Sequence, residues 1–372
     1  MKAGQGKLCA LLLGASLLLP LGALAQQAPP APAKAEAPKA AVEAPKAAAE
    51  APKPAAAPVA PTPAPGSTAV PGWNNPPQDW DRVDRKPQYA SVPGRETNVL
   101  IQGSGHEWRK FRNGPETFYG GILLLLPFVA LLGFYLIRGQ IKLHDPPTGR
   151  KIERFSSIDR TVHWTVAITF VVLALTGIVI LFGKYIILPW LGHAAFSTVT
   201  IAAKTLHNFV GPLFMFALVI FIILFAKDNL PKAYDWQWIP KFGGMLSGDH
   251  VPSGKFNAGE KALFWSLVAG LCVILSITGL ILDFPNWNQG REAMQIANVV
   301  HGIAAIFAMA MACFHIYLGT IGMQGAYRAM RDGYVDETWA KEHHALWYDE
   351  VKAGKRSERI LPAGAQPVAG DD

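Results

Sequence analysis

Five long runs of apolar residues divide the chain, and polar and charged segments separate them. The runs lie near residues 118–137, 162–182, 207–226, 263–282 and 299–322. Each run has about the 20 residues that a helix needs to cross a hydrocarbon core. Because a single strand would leave backbone groups without partners in lipid, the pattern predicts five transmembrane helices.

The chain before the first run shows three further patterns. Residues 1–25 begin with basic residues, continue with a short apolar stretch and end in Ala-Leu-Ala, which predicts a cleaved signal peptide; a retained anchor is the alternative. Residues 26–72 consist mostly of Ala and Pro and are predicted to be a disordered periplasmic tether. Residues 73–117 carry Trp and Tyr among polar and turn-forming residues, and are predicted to be a turn-rich periplasmic docking segment.

Two independent features predict the same orientation. A cleaved signal would leave the mature N-terminus in the periplasm, so five spans would place the C-terminus in the cytoplasm. The segments then expected in the cytoplasm, 138–160, 227–262 and 323–372, hold 18 Lys and Arg, against 3 in 183–206 and 283–298. Basic residues concentrate in cytoplasmic loops. The chain is therefore predicted to be a multi-pass protein of the bacterial inner membrane, in contact with membrane lipid.

The composition agrees with a membrane protein and argues against several other functions. Hydrophobic residues make up 51% of the 372 residues and charged residues 16%, whereas a soluble domain carries about 25% charged residues. The net charge of +7 follows from the loops, so no nucleic-acid partner is predicted. The three cysteines lack C-x-x-C spacing, which argues against an iron–sulfur cluster or a cysteine zinc site. The sequence contains no arrangement of a nucleophile and a base that would predict a catalytic centre.

Four of the ten histidines, His163, His207, His301 and His315, lie within or at the edges of the predicted spans. An ionisable side chain in a bilayer is costly and marks a functional site, although a single one could serve an interhelical hydrogen bond. The predicted topology places His163 and His315 near the cytoplasmic side, and His207 and His301 near the periplasmic side, where each opens its span. Two pairs at two depths are a ligand set for two stacked b-type haems, each iron held by two imidazoles. We term His163/His315 the inner pair and His207/His301 the outer pair.

The spacing along the last span is consistent with two haems. His301 and His315 are 14 residues apart, which is about 21 Å along a helix and places them on similar faces. One helix can therefore serve both haems, and the separation is too large for direct binding of one metal ion by all four histidines. Gly177, Gly211 and Gly302 would leave room for a flat porphyrin, but close helix packing explains them equally well.

The motifs around these residues resemble a known family. In order over about residues 152–352, the sequence contains DRTVHWTV, TLHNFVG, KFNAGEKALFW, VVHGIAAI, CFHIYLG and WAKEHHALWYDEV. These motifs are similar to those of the gamma (cytochrome b) subunit of membrane-bound respiratory formate dehydrogenase. The resemblance implies an all-α integral membrane protein with a four-helix di-haem bundle over 152–325 and the same two histidine pairs as ligands. Residues 118–137 are then an extra N-terminal span, and 326–372 a cytoplasmic tail.

The resemblance also implies partners and an acceptor. The partners are an iron–sulfur beta subunit on the periplasmic side and an alpha subunit that contains molybdenum or tungsten. The acceptor is a quinone on the cytoplasmic side, near His315, Asn257 and Gly259, although the sequence alone also allows Asn257 and Gly259 to be a helix start. Glu260 stands where some relatives have Gln. A hydrogenase or thiosulfate-type reductase complex is an alternative, and so is a haem-free membrane anchor.

The remaining histidines are assigned by context. His343 and His344 lie in the Trp-rich C-terminal segment and are predicted to dock a partner rather than bind metal. Four others are predicted to be surface residues in loops: His106, His144, His193 and His250.

Overall fold

A computed structural model describes residues 103–244, 251–287 and 289–365. The predicted signal peptide, the tether, residues 73–102 and His250 lie outside this part. Within these described residues, five helices, termed the first to fifth span, are long and apolar enough to cross a membrane, which agrees with the predicted number: Ser104–Arg138, Ser157–Ile186, Leu188–Phe225, Ala258–Asp283 and Arg291–Gly322.

Three of the spans change helix type along their length. The first joins two α-helices through a π-helical turn: Gly103–Phe111, Arg112–Glu116 and Thr117–Arg138. The fourth has the same arrangement: Ala258–Leu263, the π-helix Phe264–Cys272 and Val273–Asp283. The fifth is α-helical over Arg291–Tyr317 and π-helical over Leu318–Gly322. Such π-helical turns occur frequently at functional sites.

The helices extend beyond the apolar runs, which corrects two predictions. Residues 103–117, predicted to be turn-rich, are helical and continuous with the first span. Most of the predicted loop 183–206 is helical as well, interrupted only at Gly192, whose φ of 71° breaks the helix. Hydropathy marks only the part of a helix that suits lipid, so it misses the polar turns that continue into water.

The first span lies beside the fifth and runs parallel to it. Near the start, Trp108 Nε1 donates to Asn298 Oδ1 at 3.1 Å. At the other end, the backbone N–H of Ile141 donates to the carbonyl of Gly322 at 2.9 Å. The extra N-terminal helix is therefore packed into the bundle along its whole length.

The predicted tail is folded over residues 326–365. It contributes three short helices, Ala326–Asp332, Glu337–His343 and Ala345–Lys352. It also contributes two strands, β2 (Tyr334–Asp336) and β3 (Ile360–Leu361), which pair antiparallel on either side of β1 (Lys151–Glu153). Two short helices, Asp235–Trp238 and the 3₁₀-helix Ile239–Gly244, precede the fourth span. The small sheet is an addition to the all-helical architecture. We term the sheet, together with the five short helices named in this paragraph, the sheet subdomain.

Aromatic residues form the core of the sheet subdomain. Trp347 and Ile152 are fully buried and Trp339 nearly so. The Arg154 guanidinium, only 2% exposed, lies 4.7 Å from the centre of the Trp339 ring. It donates hydrogen bonds of 3.0 Å to Glu260 Oε1 and to the Lys255 carbonyl. A buried cation thus ties the sheet subdomain to the start of the fourth span.

His344 belongs to this core, so its predicted partner-docking role is wrong. Its side chain is 1% exposed, and Nδ1 donates to the carbonyl of Gly254 at 2.7 Å. In the motif WAKEHHALWYDEV a Trp lies on each side of the two His residues, a composition that suits a buried aromatic cluster as well as a docking surface. His343 is half-buried with its ring 5.2 Å from that of Trp339, and its docking role stays a prediction.

The burial of His344 predicts a pH-dependent stability. Burial, and then the Arg154 guanidinium, hold the pKa of His344 well below its ordinary value of 6.5. Below that value the unfolded chain binds a proton that the folded chain resists, so the free energy of unfolding should fall as the pH drops. Thermal unfolding at a series of pH values should show this slope for the wild type and a shallower slope for His344→Gln. Equal slopes in the two proteins would contradict the assignment of this pH dependence to His344.

The surface histidines divide between helix and loop. His144 is an exposed loop residue, as predicted, with Nδ1 3.5 Å from a Glu342 carboxylate oxygen. His106 and His193 lie on helices of the first and third spans, so the loop prediction is wrong for both. His193 is exposed, as a surface residue should be.

Candidate functional site

The structure brings the four span histidines together as two facing pairs. The imidazole centres of the inner pair, His163 and His315, are 6.2 Å apart. Those of the outer pair, His207 and His301, are 6.1 Å apart. His207 and His301 lie in the interior of their helices, Leu188–Phe225 and Arg291–Tyr317, rather than at the starts, which corrects the predicted edge positions. The fifth span supplies one histidine to each pair.

Two threonines orient the outer pair. Thr176 Oγ1 lies 2.8 Å from Nδ1 of His207, and Thr278 Oγ1 lies 2.9 Å from Nδ1 of His301. Each hydroxyl also donates to a carbonyl in its own helix, on Val172 and Ile274 respectively. A hydroxyl has one hydrogen, so a threonine that donates to its carbonyl accepts from an Nδ1–H. In that arrangement Nε2 is the unprotonated nitrogen, the form that a metal requires.

The inner pair has a different environment. Nδ1 of His163 is buried and has no hydrogen-bond partner among the described residues. Aromatic rings surround the imidazole instead, with the Trp164 ring 5.5 Å and the Phe221 ring 6.2 Å away. The two pairs are therefore alike in separation and different in their hydrogen bonding.

The outer pair opens onto a cavity of about 390 Å³, within the range of small-molecule sites. Apolar side chains form most of its walls, among them Phe170, Leu173, Phe214, Met215 and Met309. Ionisable and amide side chains also line it: Arg112, Glu116, Lys204, Asn208, Asp283 and Asn298. The cavity thus combines an apolar interior with polar groups, which suits a large ligand that carries charged substituents.

Small residues leave this space open. Gly177, Gly211 and Gly302 all line the cavity. A Cβ atom at Gly177 would lie 3.7 Å from Cε1 of His207, and one at Gly211 would meet no atom within 4 Å. Gly211 thus faces open space, as a site for a flat ligand requires. Gly302 instead makes room for the carboxylate of Glu116, which a Cβ there would overlap.

Asn257 and Gly259 begin the fourth span. Asn257 Oδ1 accepts from the backbone N–H of Glu260 at 2.9 Å, and the Glu260 carboxylate accepts from the N–H of Asn257 at 2.8 Å. This capping box is the helix start that the sequence left as the alternative to a quinone site. A Cβ at Gly259 would lie 2.6 Å from the Trp238 ring, so glycine is required there for packing. Both residues therefore have structural roles.

Comparison with known proteins agrees with this geometry. The family described as prokaryotic cytochrome b561 matches residues 154–333. Over 217 residues, the chain is 33% identical to the cytochrome b556 subunit of the nitrate-inducible formate dehydrogenase of Escherichia coli (strain K12), an alignment that covers 56% of this chain and 97% of that protein. The chain belongs to the prokaryotic cytochrome b561 family.

Further relatives carry related names. A formate dehydrogenase cytochrome b556 subunit of Haemophilus influenzae is 30% identical, over 57% of this chain and 88% of its own length. The cytochrome b556(fdo) subunit of Escherichia coli (strain K12) formate dehydrogenase is 28% identical, over 54% of this chain and 93% of its own length. The chain is thus a multi-pass membrane cytochrome related to formate dehydrogenase subunits, and its first span precedes the region that the family matches.

Membership in a b-type cytochrome family implies haem, and the residues present fit that group. Imidazole–metal bonds are about 2 Å long, and the ring centre lies about 1 Å behind the nitrogen, so two imidazoles on one iron have centres about 6 Å apart. Both pairs match this separation. The hydrogen bonds of the outer pair, its apolar walls and its polar groups are also those that a haem with two carboxylates requires.

The threonine bonds give a first prediction for the site. Thr176→Val keeps the side-chain volume but removes the acceptor that orients His207, and loss of such an outer partner typically weakens metal binding about 10-fold to 100-fold. Purified Thr176→Val protein should therefore lose the haem of the outer pair more readily during detergent washing. Thr169→Val is the matched control, because Thr169 is equally buried in the same helix and, among the described residues, its hydroxyl bonds only to the carbonyls of Thr165 and Val166. Equal haem retention in the two variants would contradict the role of Thr176.

Proposed function

We propose that this chain is the cytochrome b subunit of a formate dehydrogenase complex, and that it carries electrons from an iron–sulfur subunit to a quinone. The observation that carries the proposal is the presence of two facing imidazole pairs at two depths of one bundle. The relatives named as formate dehydrogenase subunits support formate as the source of electrons. A partner with molybdenum or tungsten would then hold the formate-oxidising centre.

Each pair would hold one haem b, which supplies one-electron redox chemistry when bound. His207 and His301 would ligate the outer iron, and His163 and His315 the inner iron. Thr176 and Thr278 keep the outer imidazoles in the tautomer that ligates, and the apolar walls exclude water. The chain therefore contributes position, tautomer and burial, which are the means by which a protein tunes such a cofactor.

The orientation is part of the proposal. The outer pair would face the periplasm and the sheet subdomain the cytoplasm, as the distribution of Lys and Arg indicates. A reporter enzyme that is active only in the cytoplasm, fused after Asp372, should then be active. An inactive fusion at normal expression, with activity from a periplasm-specific reporter at the same place, would reverse the orientation.

We place the quinone near the inner pair, beside His315, Asn257 and Gly259. Asn257→Asp separates the two roles of Asn257, because Asp caps a helix about as well as Asn but lacks the amide donor. If the amide binds a quinone carbonyl, this variant should raise the apparent KM for quinone while its thermal stability stays near that of the wild type. An unchanged KM would leave Asn257 with its capping role alone.

The source of electrons can be tested directly. Formate added anaerobically to membranes that contain the intact complex should reduce the b-type absorbance, and the quinone pool should reoxidise it. Reduction by hydrogen and not by formate would assign the chain to a hydrogenase complex instead. A complex without b-type absorbance would favour a haem-free anchor.

A further inference from the structure

The first span contributes to the cavity at the outer pair, which we term the outer cavity, although this span precedes the region that the family matches. Its π-helical turn, Arg112–Glu116, places the side chains of Arg112 and Glu116 in the cavity wall, together with His207 and His301. Pro115 lies within this turn and cannot donate a backbone hydrogen bond, which favours a local change of helix type. The first span, which lies outside the matched region, is therefore part of the wall of the outer cavity.

The turn is fixed to the second span. Lys184 Nζ donates to Asn113 Oδ1 at 2.9 Å, and the Tyr185 hydroxyl donates to the Asn113 carbonyl at 3.3 Å. The Arg112 guanidinium donates to the carbonyl of Ile180 at 3.4 Å. These bonds hold the side chains of the turn at the cavity rather than in lipid.

The contacts of Glu116 leave one of its carboxylate oxygens unexplained. Its side chain is 5% exposed, and Oε2 has no hydrogen-bond partner within the described ranges. Its carboxylate fills the space beside Gly302, the residue next to His301. A buried carboxylate oxygen without a hydrogen-bond partner costs free energy, so such an atom in a native protein requires an explanation. A ligand in the cavity would supply one.

Arg112 has the chemistry to bind the charged substituents of such a ligand. It is half-buried, lies four residues before Glu116 and lines the same cavity. A guanidinium pairs with carboxylates through two parallel hydrogen bonds, and haem b carries two carboxylates. Lys204 is a second basic side chain in the cavity lining.

We propose that the first span is a haem-site element, in which Arg112 binds a carboxylate of the outer haem and Glu116 places an opposing charge at its edge. This inference rests on the proposed haem at the outer pair. Reduction adds negative charge to a haem, so a nearby cation should raise its midpoint potential and a nearby anion should lower it. The two residues therefore act on the outer haem with opposite signs.

The test is a redox titration of the intact complex with the spectra of the two haems resolved. Arg112→Gln should lower the midpoint potential of the outer haem or cause loss of that haem alone, and Glu116→Gln should raise the potential. The inner haem should be unchanged in both variants. Arg109→Gln is the control, because Arg109 is exposed on the same span and is not part of the cavity lining.

Two outcomes would overturn the inference. One is an unchanged outer haem in Arg112→Gln and Glu116→Gln, and the other is an equal change in both haems, which would indicate general damage to the bundle. If the wild type itself holds no haem at the outer pair, the proposed function fails as well. The wild-type titration therefore separates the two failures.

Discussion

His301→Ala is expected to remove the outer haem and to leave the inner haem in place. His301 provides one of the two facing imidazoles of the outer pair, and its bond to Thr278 is lost with it. His315 lies 14 residues further along the same helix, a rise of about 21 Å, and should keep its geometry with His163. The haem content per polypeptide should fall from two to one, with only the inner haem's spectral signature remaining.

A matched histidine controls for general damage. His193→Ala removes an exposed histidine from the third span, outside the cavity lining, and should keep both haems. If His301→Ala retains the outer signal and loses the inner one, the pairing is wrong.

Asp235→Ala is expected to destabilise the junction between the bundle and the sheet subdomain. Lys261, at the start of the fourth span, is 4% exposed, and its ammonium lies 2.8 Å from one Asp235 carboxylate oxygen and 3.1 Å from the other. Removal of one partner from a buried ion pair typically costs about 3–5 kcal/mol, because the other charge is left buried without compensation. Thermal unfolding of purified protein in detergent should show a lower midpoint.

The double variant Asp235→Ala/Lys261→Met isolates the cause of this loss. It removes both charges, so it should recover much of the stability that Asp235→Ala loses. Asp332→Ala breaks the exposed pair of Arg331 and Asp332 and should change the midpoint little, because exposed ion pairs contribute little to stability. A double variant less stable than Asp235→Ala would contradict the explanation.

The sequence predicted the spans and the partner of each histidine for clear physical reasons. About twenty apolar residues in a row have one stable form in lipid. Once the order of the spans is known, the depth of each histidine follows from its place in its run, so His163 could be matched to His315 and His207 to His301. The structure brings the members of each predicted pair together.

The contacts between spans could not be predicted in this way. Thr176 and Thr278 each lie on a span next to that of their histidine partner, so no spacing along one helix relates them. Glu116 preceded the first apolar run and looked like part of a polar segment, yet it lies in the outer cavity. Only the packing of the first span beside the fifth reveals that position.

The sheet subdomain was missed because its strands are too short. β1, β2 and β3 have two or three residues each, which gives no alternation of apolar and polar residues to detect. The burial of Arg154 and His344 depends on this sheet and on the helices around it. His344 was therefore predicted to dock a partner, whereas it lies in a core together with Arg154.

The haem content of the purified complex tests the central proposal most directly. Two b-type haems per copy of this chain are expected, both with the low-spin electron paramagnetic resonance signal of two axial imidazoles in the oxidised state. One haem per chain, no haem, or a high-spin signal from an iron with one imidazole would contradict the proposal that His207/His301 and His163/His315 each hold a haem.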